Sequence, residues 1–282
     1  MNNNIGINGQ DNINPSVKTT QGKIFNHSQI SLLNRSMLNA GIGFILIALI
    51  GFGIGYGLYS NVSYTTLSNS IIILWVLSIV FILVAMILSM VMNTKLYTKM
   101  GNVSRGLIWT TWSIYIIAEG LGFGILFLAF IINFATPTND NKGIFYLLFV
   151  FGAGGVAFII ASFIGRAISD KAAISLAKFT GILSVAFLIV MFVFLITALI
   201  VAFTGTGFSN NVLFLIIIGL STLLFLLYMV LDFKAISKTQ QFMDVSDAKI
   251  SWTLGMVFGF RLLVDLVGLV WNIAYLVLRF AR

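Results

Sequence analysis

The chain has no cysteine and a single histidine among its 282 residues. The first absence excludes disulfides, thiolate catalysis and cysteine metal sites together. The histidine, His27, lies in a polar stretch near the N-terminus, where solvation is a simpler reading than ligation or catalysis. Charge is scarce too: 9% of residues are Asp, Glu, Lys or Arg, against about 25% in an average soluble domain. Between Arg35 and Lys95 there is none at all. Outer-membrane barrels show alternating segments of about ten residues, and that pattern is missing as well.

What is present is apolar. Hydrophobic residues make up 59% of the chain, in runs that reach the about 20 residues needed to cross the hydrocarbon core of a bilayer. The class expected is therefore an all-α polytopic membrane protein whose first partner is the lipid bilayer. The formal charge of +8 raises nucleic acid as a partner. However, the basic residues are dispersed among the loops, where they report topology instead.

Residues 1–37 are rich in Asn, Gln, Ser and Thr and read as a disordered polar tail, because they cannot bury enough surface to offset ordering. The first apolar run begins too late, is too long and lacks a small-x-small site, so it does not read as a secretory signal. The transmembrane domain then occupies 38–282, with spans near 38–60, 71–94, 107–132, 144–165, 178–203, 212–233 and 254–279. The tail carries Lys18, Lys23 and Arg35, and the alternate loops carry Lys95, Lys99 and Arg105, then Arg166, Lys171 and Lys178, then Lys234, Lys238 and Lys249. The first and fifth loops are uncharged, and the third has Asp140 and Lys142. By the positive-inside rule the N-terminus is cytoplasmic and the C-terminus outside. Spans one to three and four to six run in opposite senses, as inverted repeats do, although the halves share no convincing sequence similarity. Glycines recur four apart, at Gly51 and Gly55, Gly53 and Gly57, Gly120 and Gly124, and Gly255 and Gly259, a spacing that lets helices approach closely in lipid.

Four charged residues lie within or at the ends of spans without an obvious surface explanation: Glu119, Asp232, Arg261 and Asp265. Such groups normally face a protein interior or a wet cavity. Arg261 and Asp265 sit one turn apart on the last helix, so that helix cannot face lipid all round and reads as the centre of a bundle. Asp232 closes the sixth span, beside Lys234. It can meet Asp265 in the cytoplasmic half, or be an interfacial carboxylate paired with that lysine. Two carboxylates at close range in low dielectric do not both ionise easily, so a proton shared between them would act as a pH-dependent gate. With both protons lost, Asp232 and Asp265 offer hard oxygen ligands suited to Ca2+. Alternatively Arg261 neutralises Asp265 within its own helix. Glu119, mid-span in Ala-Glu-Gly-Leu-Gly-Phe-Gly, is either a protonated packing residue or part of a polar pathway.

Phe225-Leu-Leu-Tyr-Met-Val-Leu-Asp232, Leu262-Leu-Val-Asp265 with its apolar continuation to Leu278-Arg279-Phe280, Phe151-Gly-Ala-Gly-Gly-Val-Ala-Phe with Gly165-Arg166, and Glu119-Gly120 follow one another in order. In these segments the chain resembles the transmembrane Bax inhibitor motif family, including its bacterial calcium-leak members. The likeness covers residues 38–282 in outline. It implies seven transmembrane helices with the C-terminal one central, surrounded by two three-helix layers. It also implies a pH-sensitive Ca2+ leak of the bacterial cytoplasmic membrane gated by Asp232 and Asp265, with Ca2+ or protons as the permeant species and no cofactor. Lys95 is an approximate match to a basic residue at the cytoplasmic end of the second helix that locks the aspartate pair in some members. The chain departs from the family pattern at Leu231 and Val264, which replace tyrosines, at the shifted Asn272, and at Arg261, which would repel a cation beside Asp265.

The alternative is a non-conducting regulator that binds a partner such as a membrane protease, a role suited to a long polar tail. Enzyme chemistry finds little support. Intramembrane aspartyl proteases carry Gly-x-Gly-Asp where this chain has Leu-Leu-Val-Asp, and rhomboid-like serine chemistry needs a membrane histidine.

Overall fold

In lipid no water is available to satisfy the backbone, so a spanning segment must close its hydrogen bonds within a helix. The computed structural model describes residues 27–61, 64–98, 103–134, 142–204, 211–242 and 248–280, and among these there is no strand. Seven helices result: α1 (His27–Asn61), α2 (Tyr64–Thr98), α3 (Arg105–Phe134), α4 (Lys142–Ala167), α5 (Asp170–Thr204), α6 (Asn211–Phe242) and α7 (Ala248–Phe280). All but α2 contain a described stretch long and apolar enough to cross a membrane; in α2 the described apolar stretch is Val80–Lys95. The chain is a polytopic all-α membrane protein.

The helices overrun the spans expected from hydropathy, and mostly at one end. α1 begins at His27 and not at residue 38, α5 at Asp170, α7 at Ala248, and α6 continues to Phe242. The stretch 27–37, expected as tail, is therefore helical, and its Leu32 and Ser36 are fully buried. Hydropathy marks only the lipid-immersed part of a helix, whereas the backbone ladder continues as long as one face can pack. The overrunning end also carries most of the described basic residues. Residues 1–26 of the expected tail, with Lys18 and Lys23, lie outside the described residues, as do Lys99 and Asp140. Ser104 and Ser169 cap α3 and α5: their hydroxyls accept the backbone N–H of Leu107 (3.4 Å) and Ala172 (3.3 Å).

α7 is the central helix. Of its span, 83% is buried inside the protein, against 6% for α5, whose Phe179, Ile182, Leu188 and Phe192 face outward. α3 packs on both α1 and α2, and α6 on both α4 and α5, so the chain forms two three-helix layers. α1, α3, α4 and α6 all touch α7; α3 also meets α4, and α6 meets α1. Every one of these contacts has its counterpart when α1, α2 and α3 are exchanged for α4, α5 and α6. The inverted-repeat arrangement, invisible in the side chains, is thus present in the packing.

Apolar burial drives little association in lipid, where the tails are as apolar as leucine, so close packing must hold the helices. A Cβ on Gly51 would lie 2.6 Å from the Phe123 Cβ, and one on Gly124 would lie 2.6 Å from Ile54 Cγ2, so α1 and α3 meet nearly backbone to backbone. Gly259 does the same for α7 against α1, 2.8 Å from the Asn39 Cβ. Gly53 and Gly57 face open space, so that pair has no packing role among the described residues.

Candidate functional site

On α6 the residues Tyr228 and Asp232 lie one turn apart, and on α7 so do Arg261 and Asp265, so each pair shares a face. The packing of α6 on α7 turns these faces toward each other. Together with Ser89 of α2 they line one cavity of about 180 Å³, walled further by Phe260 and Val264. Both aspartates are buried. Arg261 Nη2 lies 3.2 Å from Asp232 Oδ1, an ion pair between helices; the arginine side chain is 32% exposed. The Oδ2 of Asp265 is buried without a hydrogen-bond partner. An orphaned acceptor at that depth carries a free-energy penalty, which a proton or a cation would remove.

The two aspartates therefore share one cavity, as expected, but two features differ. Asp232 does not close its helix: α6 runs on to Phe242, about 15 Å further. Nor is Asp232 the partner of Lys234, whose ammonium donates to the Ile168 carbonyl (2.7 Å) and pairs with Asp170 (3.1 Å). Lys238 joins the same exposed Asp170 at 3.4 Å. Asp170 was not singled out in the sequence; its place in the first turn of α5, after a serine cap, is the ordinary place for an acid near a helix N-terminus. It fastens the end of α6 to the α4–α5 junction. Lys95 is exposed in the last turn of α2 and does not line the cavity, to which α2 contributes Ser89.

Glu119 belongs to a second buried cluster further along α7. The Trp271 indole N–H donates to Glu119 Oε2 at 2.9 Å, joining α3 to α7. Tyr115, one turn earlier on α3, lies on the same helix face as Glu119, and its ring meets Phe260 edge-on at 5.2 Å. The Asn272 amide donates to Ser221 Oγ of α6 at 2.9 Å. Tyr115 and Trp271 were not anticipated. The four-residue spacing of Tyr115 and Glu119 was legible, whereas a partner 152 positions away was not.

Among the described residues no group of three or more His, Cys, Asp or Glu side chains could hold a metal ion. Two carboxylates, one already paired with an arginine, fall short of the about six to eight oxygen ligands that a resident Ca2+ takes. Comparison with family models, curated proteins and solved structures finds no match for this chain. Fold and site together define a class, a multi-pass helical membrane protein with acidic groups buried in its interior.

Proposed function

We propose that the protein is a bacterial member of the transmembrane Bax inhibitor motif family. In this reading it is a pH-sensitive cation (Ca2+) leak of the cytoplasmic membrane, with its N-terminus in the cytoplasm. The observation that carries the reading is the cavity shared by Asp232 and Asp265, in which one carboxylate oxygen has no donor and the other aspartate is held by Arg261. Arg261 is the brake: while it neutralises Asp232, a cation entering the cavity meets a positive charge. A proton on the pair keeps the site neutral, and its loss leaves a net negative cavity that attracts a divalent ion.

The test is Ca2+ flux into liposomes holding the purified protein, from about pH 5 to about pH 8, a range that brackets neutrality. A flux with a pH midpoint, altered in Asp265→Asn and raised in Arg261→Ala, is the expected result. No flux above empty liposomes for any folded, inserted variant would sink the leak. A second reading, a non-conducting regulator that binds a partner such as a membrane protease, draws on the same ion pair, since a cavity closed by Arg261 need not conduct. That outcome would favour it.

A further inference from the structure

Three parallel helices, α1, α3 and α7, meet at the basic end of the molecule and leave a groove of about 360 Å³ on the lipid-facing side. Its lower rim is formed by Asn39 of α1, Trp109 of α3 and Met256 of α7. The residue one turn below each of these, toward the basic end, is Arg35, Arg105 and Trp252. Arg35 and Arg105 are exposed, and among the described residues neither forms an ion pair with a carboxylate. Both are held in place: the Arg35 guanidinium donates to Ser251 Oγ (2.9 Å), and the Arg105 guanidinium lies 5.3 Å from the centre of the Trp252 ring. Trp109 and Trp252 flank this ledge with ring centres 6.3 Å apart, and tryptophan is enriched at the level of lipid headgroups.

Above the ledge the groove is apolar. It runs from Trp109 to Ile117 along α3, eight residues or about 12 Å. One leaflet of the hydrocarbon core is about 15 Å deep, half of about 30 Å. The wall is fixed, because the Trp112 indole N–H donates to the Met256 carbonyl at 3.2 Å. A cationic ledge at headgroup height, continuous with an apolar slot one leaflet deep, matches one molecule class. We propose that this is a binding site for an anionic glycerophospholipid of the leaflet at the basic end, its phosphate on Arg35 and Arg105 and one acyl chain in the groove. Charge complementarity selects the anionic headgroup, and the depth of the slot selects a lipid over a soluble phosphate. The site does not depend on the leak reading.

Native mass spectrometry of the full chain in detergent, with added phosphatidylglycerol or phosphatidylcholine of identical acyl chains, tests it. Wild type should retain phosphatidylglycerol in preference to phosphatidylcholine. The double variant Arg35→Gln, Arg105→Gln should lose that preference by about tenfold or more, two surface cations being removed. Lys171→Gln with Lys178→Gln removes the same charge elsewhere on the basic end and should leave retention unchanged. Leu46→Trp, which fills the slot and spares both arginines, should also weaken retention. Wild-type retention in the arginine variant, an equal loss in the lysine variant, or full displacement by glycerol phosphate would each overturn the proposal.

Discussion

Replacing Arg261 by Gln should destabilise the protein, and replacing Asp232 as well should restore part of the loss. At 3.2 Å, two unit charges attract by about 5 kcal/mol in a medium of effective dielectric about 20. The net worth is smaller, because both ions are partly removed from water on folding. Asp232 is buried and Arg261 about a third exposed, so most of the uncompensated penalty falls on the aspartate when its partner is removed. Arg261→Gln should therefore cost about 3 kcal/mol, at the lower end of the range for breaking a buried pair. Asp232→Asn should cost about 1 kcal/mol, since the arginine left behind can turn toward solvent. With an interaction energy of about 2 kcal/mol, the double variant should lose only about 2 kcal/mol and be more stable than Arg261→Gln alone. Any other contact of Arg261 is lost in both arms of the cycle and cancels. The assay is denaturant unfolding of purified protein in mild detergent, with stability taken from midpoint and slope. Strict additivity, with an interaction below about 0.5 kcal/mol, would refute the claim that this pair holds α6 to α7.

Three further outcomes follow from the packing and the charge pattern. Gly124→Leu forces a side chain into the Ile54 contact and the α1 backbone and should cost about 1–3 kcal/mol or more; Gly53→Ala, with open space around it, should not lower the unfolding midpoint and should raise it slightly, alanine being the better helix former. Trp271→Phe leaves Glu119 Oε2 without its indole donor and should cost about 1–3 kcal/mol, part of which Glu119→Leu in the same background should return; a loss unaffected by that second change would show the indole acting by shape alone. The cysteine-free chain makes topology directly readable: with the N-terminus inside, a membrane-impermeant maleimide applied to intact spheroplasts should label Lys142→Cys and spare Lys171→Cys, and the reverse pattern would invert the proposed orientation.

What the sequence made legible is what depends on local chemistry. The helical class follows from run length, and the centrality of α7 from Arg261 and Asp265 in an apolar stretch, since no lipid-facing helix tolerates both. Gly51, Gly120, Gly124 and Gly259 announced close crossings by spacing, yet Gly53 and Gly57 have the same spacing and face open space. Spacing says which residues share a face, not what lies opposite it. For the same reason the partner of Arg261 was assigned to its own helix as one alternative, while the structure places Asp232 of α6 against it. Lys234 stands two residues from Asp232 in sequence, but two steps along a helix are about 200° of rotation, which points it at Asp170 on the other side of α6.

The matched packing of the two layers gives the buried acids a common logic. α3 and α6 are the equivalent middle helices of the layers, and each delivers one buried carboxylate to α7: Glu119 to Trp271, and Asp232 to Arg261. On α7 these two anchors stand on either side of Asp265, one about 6 Å below it and the other about 9 Å above. Of the polar bonds that hold the central helix to the two layers, these two involve buried carboxylates, and Asp265 Oδ2, buried without a donor among the described residues, lies between them. A movement of α7 along its axis strains both bonds together, while a proton or ion arriving at Asp265 changes the charge midway between them.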